Sequence, residues 1–236
     1  MKKHSVRFYR ALSWVVIILI VGSFLFFCLT TEKPAALVSG ESYAPIYGGA
    51  DGESRVCLMF NVYENTEVVN GLLDVLGEYG VKATFFVGGC WTDDNPNTIK
   101  RILFEGHDLG NHGYFHKDHK KLNEKENELE IKTNHDVVFA MTGYQMTLFA
   151  PPSGSYSVTA LKVAERLGYK TVMWTKDTID WRDSDLKLVI KRATDVTGGD
   201  FILMHPKPHT LAALPQILDY YKEKGLTPAL VKDLIK

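Results

Sequence analysis

The sequence predicts an α/β fold in which parallel strands are joined by helical crossovers, behind one N-terminal apolar segment. Three observations predict it. From residue 53 onward, apolar runs of strand length alternate with runs of helix length. The strand runs are apolar on both faces, the pattern of parallel sheets covered by helices. Glycines close the helical runs at Gly80, Gly106 and Gly168. Six or seven such units fit a closed or nearly closed barrel better than an open sheet.

The first element stands apart from the core. Residues 1–10 form a basic segment with Lys2, Lys3, Arg7 and Arg10, and residues 11–29 run for 19 positions without a charge. As a helix this run spans about 28 Å, close to the roughly 30 Å of a hydrocarbon layer. The preceding positive charge predicts a cytoplasmic N-terminus and an extracytoplasmic remainder. The competing reading is a cleaved signal peptide, whose apolar region is usually about 7–15 residues and ends at an A-x-A-like site. No clean site follows here, and Leu25, Phe26 and Phe27 are too bulky to precede a lipoprotein cysteine at Cys28. The expectation is an uncleaved transmembrane anchor on the cell membrane. Residues 30–52, rich in Gly, Pro, Ser and Ala and without periodicity, read as a linker to a domain at 53–236.

Residues 56–62 (VCLMFNV) open that domain as a buried strand, and the helical run 68–80 stops at Gly80. Residues 82–88 form the second strand. The helix over 95–106 has Pro96 early, where the missing N–H is tolerated, and Gly106 late. A short third strand covers 107–112. A long helix covers 122–143, with Leu122, Leu129, Val137 and Met141 among many charges. Strands at 146–152, 169–174 and 200–205 alternate with helices at 158–168, 186–194 and 209–225, and a weak last strand lies at 226–231.

The chain of 236 residues allows one sizeable domain plus an appendage, and its net charge of −1 gives no sign of a nucleic-acid partner. Of three cysteines, Cys28 lies in the apolar segment. Cys57 and Cys90 fall near opposite ends of neighbouring strands, roughly 15 Å apart at ~3.3 Å per residue. A disulfide needs Cα atoms within about 7 Å, so no disulfide is expected.

In β/α barrels the site forms at the C-terminal strand ends. Those ends deliver Asn61, Val62, Tyr63 and Glu64; Cys90 and Trp91; His112 and His116; Ala150, Pro151, Pro152 and Ser153; Trp174, Asp177, Asp180 and Trp181; and His205. Such clustering is the strongest sign of a site.

His112 and His116 are four residues apart, so on a helical turn both imidazoles would face one way and could share a metal. Eight histidines in this chain give about 0.27 such pairs by chance. The alternative is two surface histidines flanking a turn. His107 and His119 read as structural or solvent-exposed. His205, with Asp180 as its neighbour, suits a general acid near neutral pH, or else a buried histidine satisfied by backbone. Asp177 can cap the following turn. Trp181 can stack on a sugar face or belong to the core. The rigid APPSG turn can present the Ser153 N–H to an oxyanion, or be an ordinary Pro/Gly loop.

In order and spacing, FNVYEN, HGYFH, APPSG, DTIDW and ILMH resemble the five motifs of the polysaccharide deacetylases, the carbohydrate esterase family 4 or NodB homology domain. The resemblance spans about residues 53–236. It implies a distorted (β/α)7 barrel, a divalent metal such as zinc, and hydrolysis of N-acetyl groups on peptidoglycan or chitin-like polysaccharide. It places His112 and His116 on the metal, His205 as general acid, Asp180 as the carboxylate that tunes it, and Trp181 in the sugar groove. Tyr63 and Pro152 join Trp181 as substrate-binding candidates.

The first motif departs from the pattern. Asn61 stands where the family has its base aspartate, Val62 where it has its metal-binding aspartate, and Ala150 where an arginine holds the base. An amide is no general base, whose loss typically costs about 10²–10⁴ in rate. A valine cannot ligate, and catalytic zinc usually takes three protein ligands. An arginine left without the base would be an unpaired charge, and Ala150 removes it. Glu64 is a candidate to replace the base or the ligand; the alternative is a solvated loop glutamate.

Three readings follow. The first is a membrane-anchored, metal-dependent N-deacetylase of cell-envelope glycans. The second is a catalytically inactive homologue that binds envelope glycan. The third is a purely structural envelope protein, in which changing His112 and His205 would alter stability alone.

Overall fold

The structure, a computed structural model, describes residues 43–50 and 52–235 together with Trp14. The expected basic segment 1–10 lies outside the described residues, as do the expected anchor at 11–29, Trp14 apart, and the linker up to residue 42. Among the described residues, no helix is long and apolar enough to cross a membrane.

Among the described residues, eight strands form one sheet, all pairs parallel: β1 (Arg55–Val62), β2 (Thr84–Val87), β3 (Asp108–Asn111), β4 (Leu148–Phe149), β5 (Lys170–Thr171), β6 (Lys176–Asp177), β7 (Phe201–Met204) and β8 (Thr227–Ala229). Their order is β5-β4-β3-β2-β1-β7-β6, with β8 on the N-terminal half of β1. The ends of this path, β5 and β6, belong to one stretch of chain joined by residues 172–175. The sheet therefore curls round and is linked through the backbone there, giving a distorted, barrel-like β/α fold. The fifth expected strand, 169–174, shrinks to β5, and β6 follows as a separate piece after a bend at residue 175.

The crossovers are α1 (Thr66–Glu78), α2 (Gly89–Asp94), α3 (Pro96–Phe104), α4 (Glu124–Thr142), α5 (Val158–Arg166), α6 (Leu186–Thr194) and α7 (Pro208–Lys224). A last short helix, α8 (Val231–Leu234), follows β8. The sequence reading missed α2 and α8, whose six and four residues are too short to show a helical period. α4 starts at a capping box: Asn123 accepts the Glu126 N–H, and the Glu126 carboxylate accepts the Asn123 N–H.

Side chains along β1 alternate between two cores. Val56, Leu58, Phe60 and Val62 join the larger cluster with the helices. Cys57 and Met59 join a smaller cluster drawn from β2, β4, β7, α8 and the stretch after β5. That smaller cluster fills the concave face of the sheet. α8 closes its lower end, where the Val231 N–H is bonded to Thr84 Oγ1 at 3.0 Å. Asn61 continues the inward row of Cys57 and Met59 at its upper end.

The folded unit begins at Tyr43, within the stretch expected to be linker. Ile46 pairs with Val172, and the Gly49 N–H donates to the Gly199 carbonyl at 2.8 Å. A side chain at Gly198 would place its Cβ 1.5 Å from the Glu53 carbonyl oxygen, so that approach of two backbones requires glycine. Gly-rich composition here marks close packing as much as a loose tether. Cys57 and Cys90 are both free, as expected.

Candidate functional site

The upper strand ends surround a cavity of about 460 Å³. Asn61, Tyr63, Glu64, His112, His116, Ser153, Trp181 and His205 all line it, so most candidates scattered through the sequence are brought together. Trp174 and Asp177 line it as well, with Leu203, Pro206 and Lys207, which the sequence reading did not single out. The one available signal for these last three was their position beside His205. Pro152 is a correction: it is buried and packs towards Gly113, whose added Cβ would lie 3.4 Å from it, and it does not line the cavity.

His112 is fully buried after β3, and its Nδ1 lies 2.7 Å from the Ala150 carbonyl. A carbonyl only accepts, so Nδ1 carries the proton and Nε2 is left as an acceptor or ligand. Burial, reinforced by His116, pushes the His112 imidazole down to about 3, and burial lowers that of His116. The two rings are 5.1 Å apart, and the Tyr63 ring is 5.0 Å from His116.

The expected helical turn is not what brings the histidines together. Residues 112–116 form an irregular turn with Gly113 at φ 72° and His116 at φ 56°, both left-handed. Buried neighbours hold it. The Gly113 N–H donates to Asn111 Oδ1, and the Tyr114 and Phe115 N–H groups donate to Glu130 Oε2 at 3.0 and 2.8 Å. Asn134 ties Asn111 to the Val87 carbonyl. The Gly89 and Cys90 N–H groups at the start of α2 bind the carbonyls of Gly113 and Tyr114. Sequence reasoning missed Glu130 and Asn134 because polar residues on a long charged helix look solvated, and Asn111 because it ends a short strand without a pattern of its own. His107 and His119 prove buried and structural: His107 Nδ1 accepts the Ala83 N–H, and His119 Nδ1 binds Asn127 Oδ1.

The opposite wall holds a hydrogen-bonded pair, Asp180 and His205. Asp180 is 1 % exposed and receives three hydrogen bonds. His205 Nδ1 and the His205 N–H donate at 2.7 Å each, and Thr210 Oγ1 at 2.6 Å. Burial alone would raise this carboxyl, but the His205 and Thr210 bonds outweigh it and hold Asp180 below the ordinary range. The bond to Asp180 fixes the ring of His205 and leaves Nε2 for the cavity. Asp177 accepts the Ile179 N–H at 2.8 Å, which is the turn-capping role. Trp181 is 54 % exposed at the rim and does not belong to the core. Ser153 sits in the left-handed region at φ 55° between Pro152 and Gly154.

The β1 side is depleted. Val62 belongs to the helix-facing core and does not line the cavity. Glu64 lines it but is ion-paired with Lys207. Among the described residues, no group of three His, Cys, Asp or Glu could hold a metal ion. The donor set is two imidazoles, which does not fit a catalytic zinc with three protein ligands. Ala150 gives the site only its carbonyl, through His112. Burial first, then the Cys90 hydrogen bond, pushes the Tyr63 hydroxyl up to about 12, so it stays a neutral donor.

The family profile described as polysaccharide deacetylase matches residues 48–172, more than half of the chain. This chain belongs to the polysaccharide deacetylase family. It is 32 % identical over 204 residues to the uncharacterized protein YlxY of Bacillus subtilis, covering 86 % of this chain and 64 % of that one. It thus spans a little under two thirds of that relative's length. It is 32 % identical over 194 residues to a peptidoglycan-N-acetylglucosamine deacetylase of Bacillus cereus, covering 78 % and 70 %. Among crystal structures, it matches BA3943, a CE4 family pseudoenzyme from Bacillus anthracis, at TM-score 0.80 and 33 % identity, over 83 % and 70 % of the two chains. A mutant of that pseudoenzyme, described as having restored enzymatic activity, matches equally well at 32 % identity.

Proposed function

We propose that this polysaccharide deacetylase homologue is an extracytoplasmic glycan-binding protein, held on the cell membrane by residues 11–29, that does not hydrolyse its ligand. The observation that carries this reading is the state of β1. Its inward-facing end is an amide, Asn61, and the neighbouring Val62 is absorbed into the apolar core. Neither can take a proton from water or complete a metal site. The rest of the cavity keeps what a sugar needs: an exposed indole at Trp181, a neutral tyrosine hydroxyl at Tyr63, and imidazoles at His112, His116 and His205. The pseudoenzyme relative supports the same reading. The ligand class is cell-wall polysaccharide of the N-acetylated kind on which the deacetylase relatives are named to act.

One observation favours a second reading, a metal-dependent N-deacetylase. The His205–Asp180 pair is intact, with its carboxylate fully hydrogen-bonded. That reading needs Glu64 to leave Lys207 and serve as base or ligand.

Acetate release separates the two. The full chain is incubated with N-acetylglucosamine oligomers or peptidoglycan and added zinc or cobalt, beside Asn61→Asp/Val62→Asp and His112→Ala. The expected result is glycan binding without release by the native chain, and release by the double aspartate variant. Release by the native chain that is abolished by His112→Ala overturns the binding reading and establishes the enzyme.

A further inference from the structure

We infer that His209 is a positioning residue: its imidazole clamps the strained turn at residues 177–183, and by fixing the Asp180–Trp181 peptide it aims Asp180 under His205 and holds Trp181 at the rim. The inference goes beyond the glycan-binding proposal, on which only the affinity measurement below depends.

Among the described residues, four that are not glycine have a left-handed backbone: Asn65, His116, Ser153 and Ile179. Ile179, at φ 54°, is the β-branched one, and a branched side chain rarely adopts that conformation. Such strain persists only where the surroundings over-determine it. Here they do. Asp177 Oδ1 accepts the Ile179 N–H at 2.8 Å, and the Ile179 carbonyl accepts the Arg182 and Asp183 N–H groups at 3.1 and 2.9 Å. Thr178 donates its hydroxyl and its N–H to the Leu203 carbonyl. Arg192 on α6 donates to the Thr178 carbonyl and to the Asp183 carboxylate. None of these bonds is made to the Asp180 carbonyl.

That carbonyl is taken by His209. The His209 Nε2 lies 2.8 Å away, and since a carbonyl only accepts, Nε2 carries the proton. An imidazolium would also donate there, so the bond holds in either charge state. The carbonyl lies in the peptide plane joining Asp180 to Trp181, so one bond constrains the directions of both side chains. His209 is the second residue of α7 and precedes Thr210, whose hydroxyl donates to the Asp180 carboxylate at 2.6 Å. The first turn of α7 thus grips Asp180 by its main chain and by its side chain. Trp181, 54 % exposed at the rim, has little packing to hold it, so its place depends on the backbone beneath it.

The test is NMR, with a calorimetric titration against chitotetraose, on the full chain in detergent. The native protein is compared with His209→Phe, which has no donor, and with His209→Gln, whose amide N–H reaches the same place. His209→Phe is expected to shift or broaden the Trp181 indole signal and the His205 imidazole signals, while the indole of Trp91, buried on α2, stays in place. Chitotetraose binding is expected to weaken about three- to tenfold, the scale of one hydrogen bond. His209→Gln is expected to restore the signals and the affinity. In an Ile179→Gly background the left-handed backbone carries no strain, so His209→Phe is expected to move the signals less. If His209→Phe does not fold, His209→Asn, whose amide falls short of the Asp180 carbonyl, takes its place. Unmoved Trp181 and His205 signals in the folded variant, whatever its stability, overturn the assignment of His209. So does a displacement that His209→Gln does not reverse, or one of equal size with isoleucine and glycine at position 179. No binding of chitotetraose by the native chain overturns the glycan proposal alone, and the Trp181 and His205 signals still decide on His209.

Discussion

Replacing Glu130 by alanine should loosen the histidine turn at a cost that the structure allows to be worked out. Glu130 is on α4, 2 % exposed, and its Oε2 accepts the Tyr114 and Phe115 N–H groups at 3.0 and 2.8 Å. Hydrogen bonds to a charged group contribute roughly 1.5–3 kcal/mol each. Both amides lie on a partly exposed turn and regain some water when the carboxylate is removed, so the lower end applies, about 3 kcal/mol for the pair. The Lys117 ion pair at 3.3 Å adds little, because Lys117 is half exposed and such pairs are worth about 0–1 kcal/mol. At about 2–4 °C per kcal/mol for a domain of this size, the midpoint should fall by roughly 6–12 °C. Urea unfolding followed by circular dichroism gives the free energy, and histidine NMR signals report whether the His116 environment moves. Glu130→Gln keeps one acceptor oxygen and should lose about half as much. A loss below about 1 kcal/mol for Glu130→Ala, or a larger loss with the His116 signals unmoved, would refute the role given to Glu130.

Three further expectations can be checked with standard assays. His107 accepts the Ala83 N–H through Nδ1, and burial, with Lys82 adding to it, pushes its imidazole down to about 4 from an unfolded value of 6.5. Between those values the unfolded chain binds the extra proton, so stability is present above pH ~6.5 and falls as the pH drops, by up to about 1.4 kcal/mol per unit; His107→Gln should flatten the pH dependence measured by urea midpoints between pH 6.5 and 4. Gly110→Ala would place its Cβ 2.3 Å from the Phe86 ring inside the sheet, and thermal melts should show a loss of about 1–3 kcal/mol or more. Trp181→Ala removes a half-exposed rim residue, so the melting temperature should stay within about 2 °C while affinity for chitotetraose falls about tenfold; unchanged affinity would take Trp181 out of the groove.

Most of the fold was legible because its signals are local. Strands β1, β2 and β7 are built on apolar runs at 56–60, 85–87 and 201–204, and α6 occupies the expected residues 186–194. Two-residue strands such as β5 and β6 carry no period of their own and exist only by pairing with β4 and β7. Residues 43–50 looked like linker because the glycines that permit close backbone contact also mark flexible chain. In the site, the residues with distinctive chemistry were found: Asn61, His112, His116, Asp180 and His205. Those that hold them were not. Glu130, Asn111, Asn134 and Thr210 act through hydrogen bonds across the sheet or from a helix, and their spacing in the chain follows no pattern.

By itself the sequence determined which chemical groups reach the upper strand ends, and that the first strand ends in an amide and a valine, Asn61 and Val62. Side-chain identity settles those points, since no folding turns Asn61 into a base or Val62 into a ligand. Only the tertiary structure decided where these side chains went. Val62 alternates into the helix-facing core, Glu64 meets Lys207 from a strand end 143 residues away, and Asn61 is left inward with its oxygen buried and unpaired among the described residues. Strand alternation fixes which face each side chain takes, and the curl of the sheet fixes which distant residue it meets; neither is written in the spacing of residues along the chain.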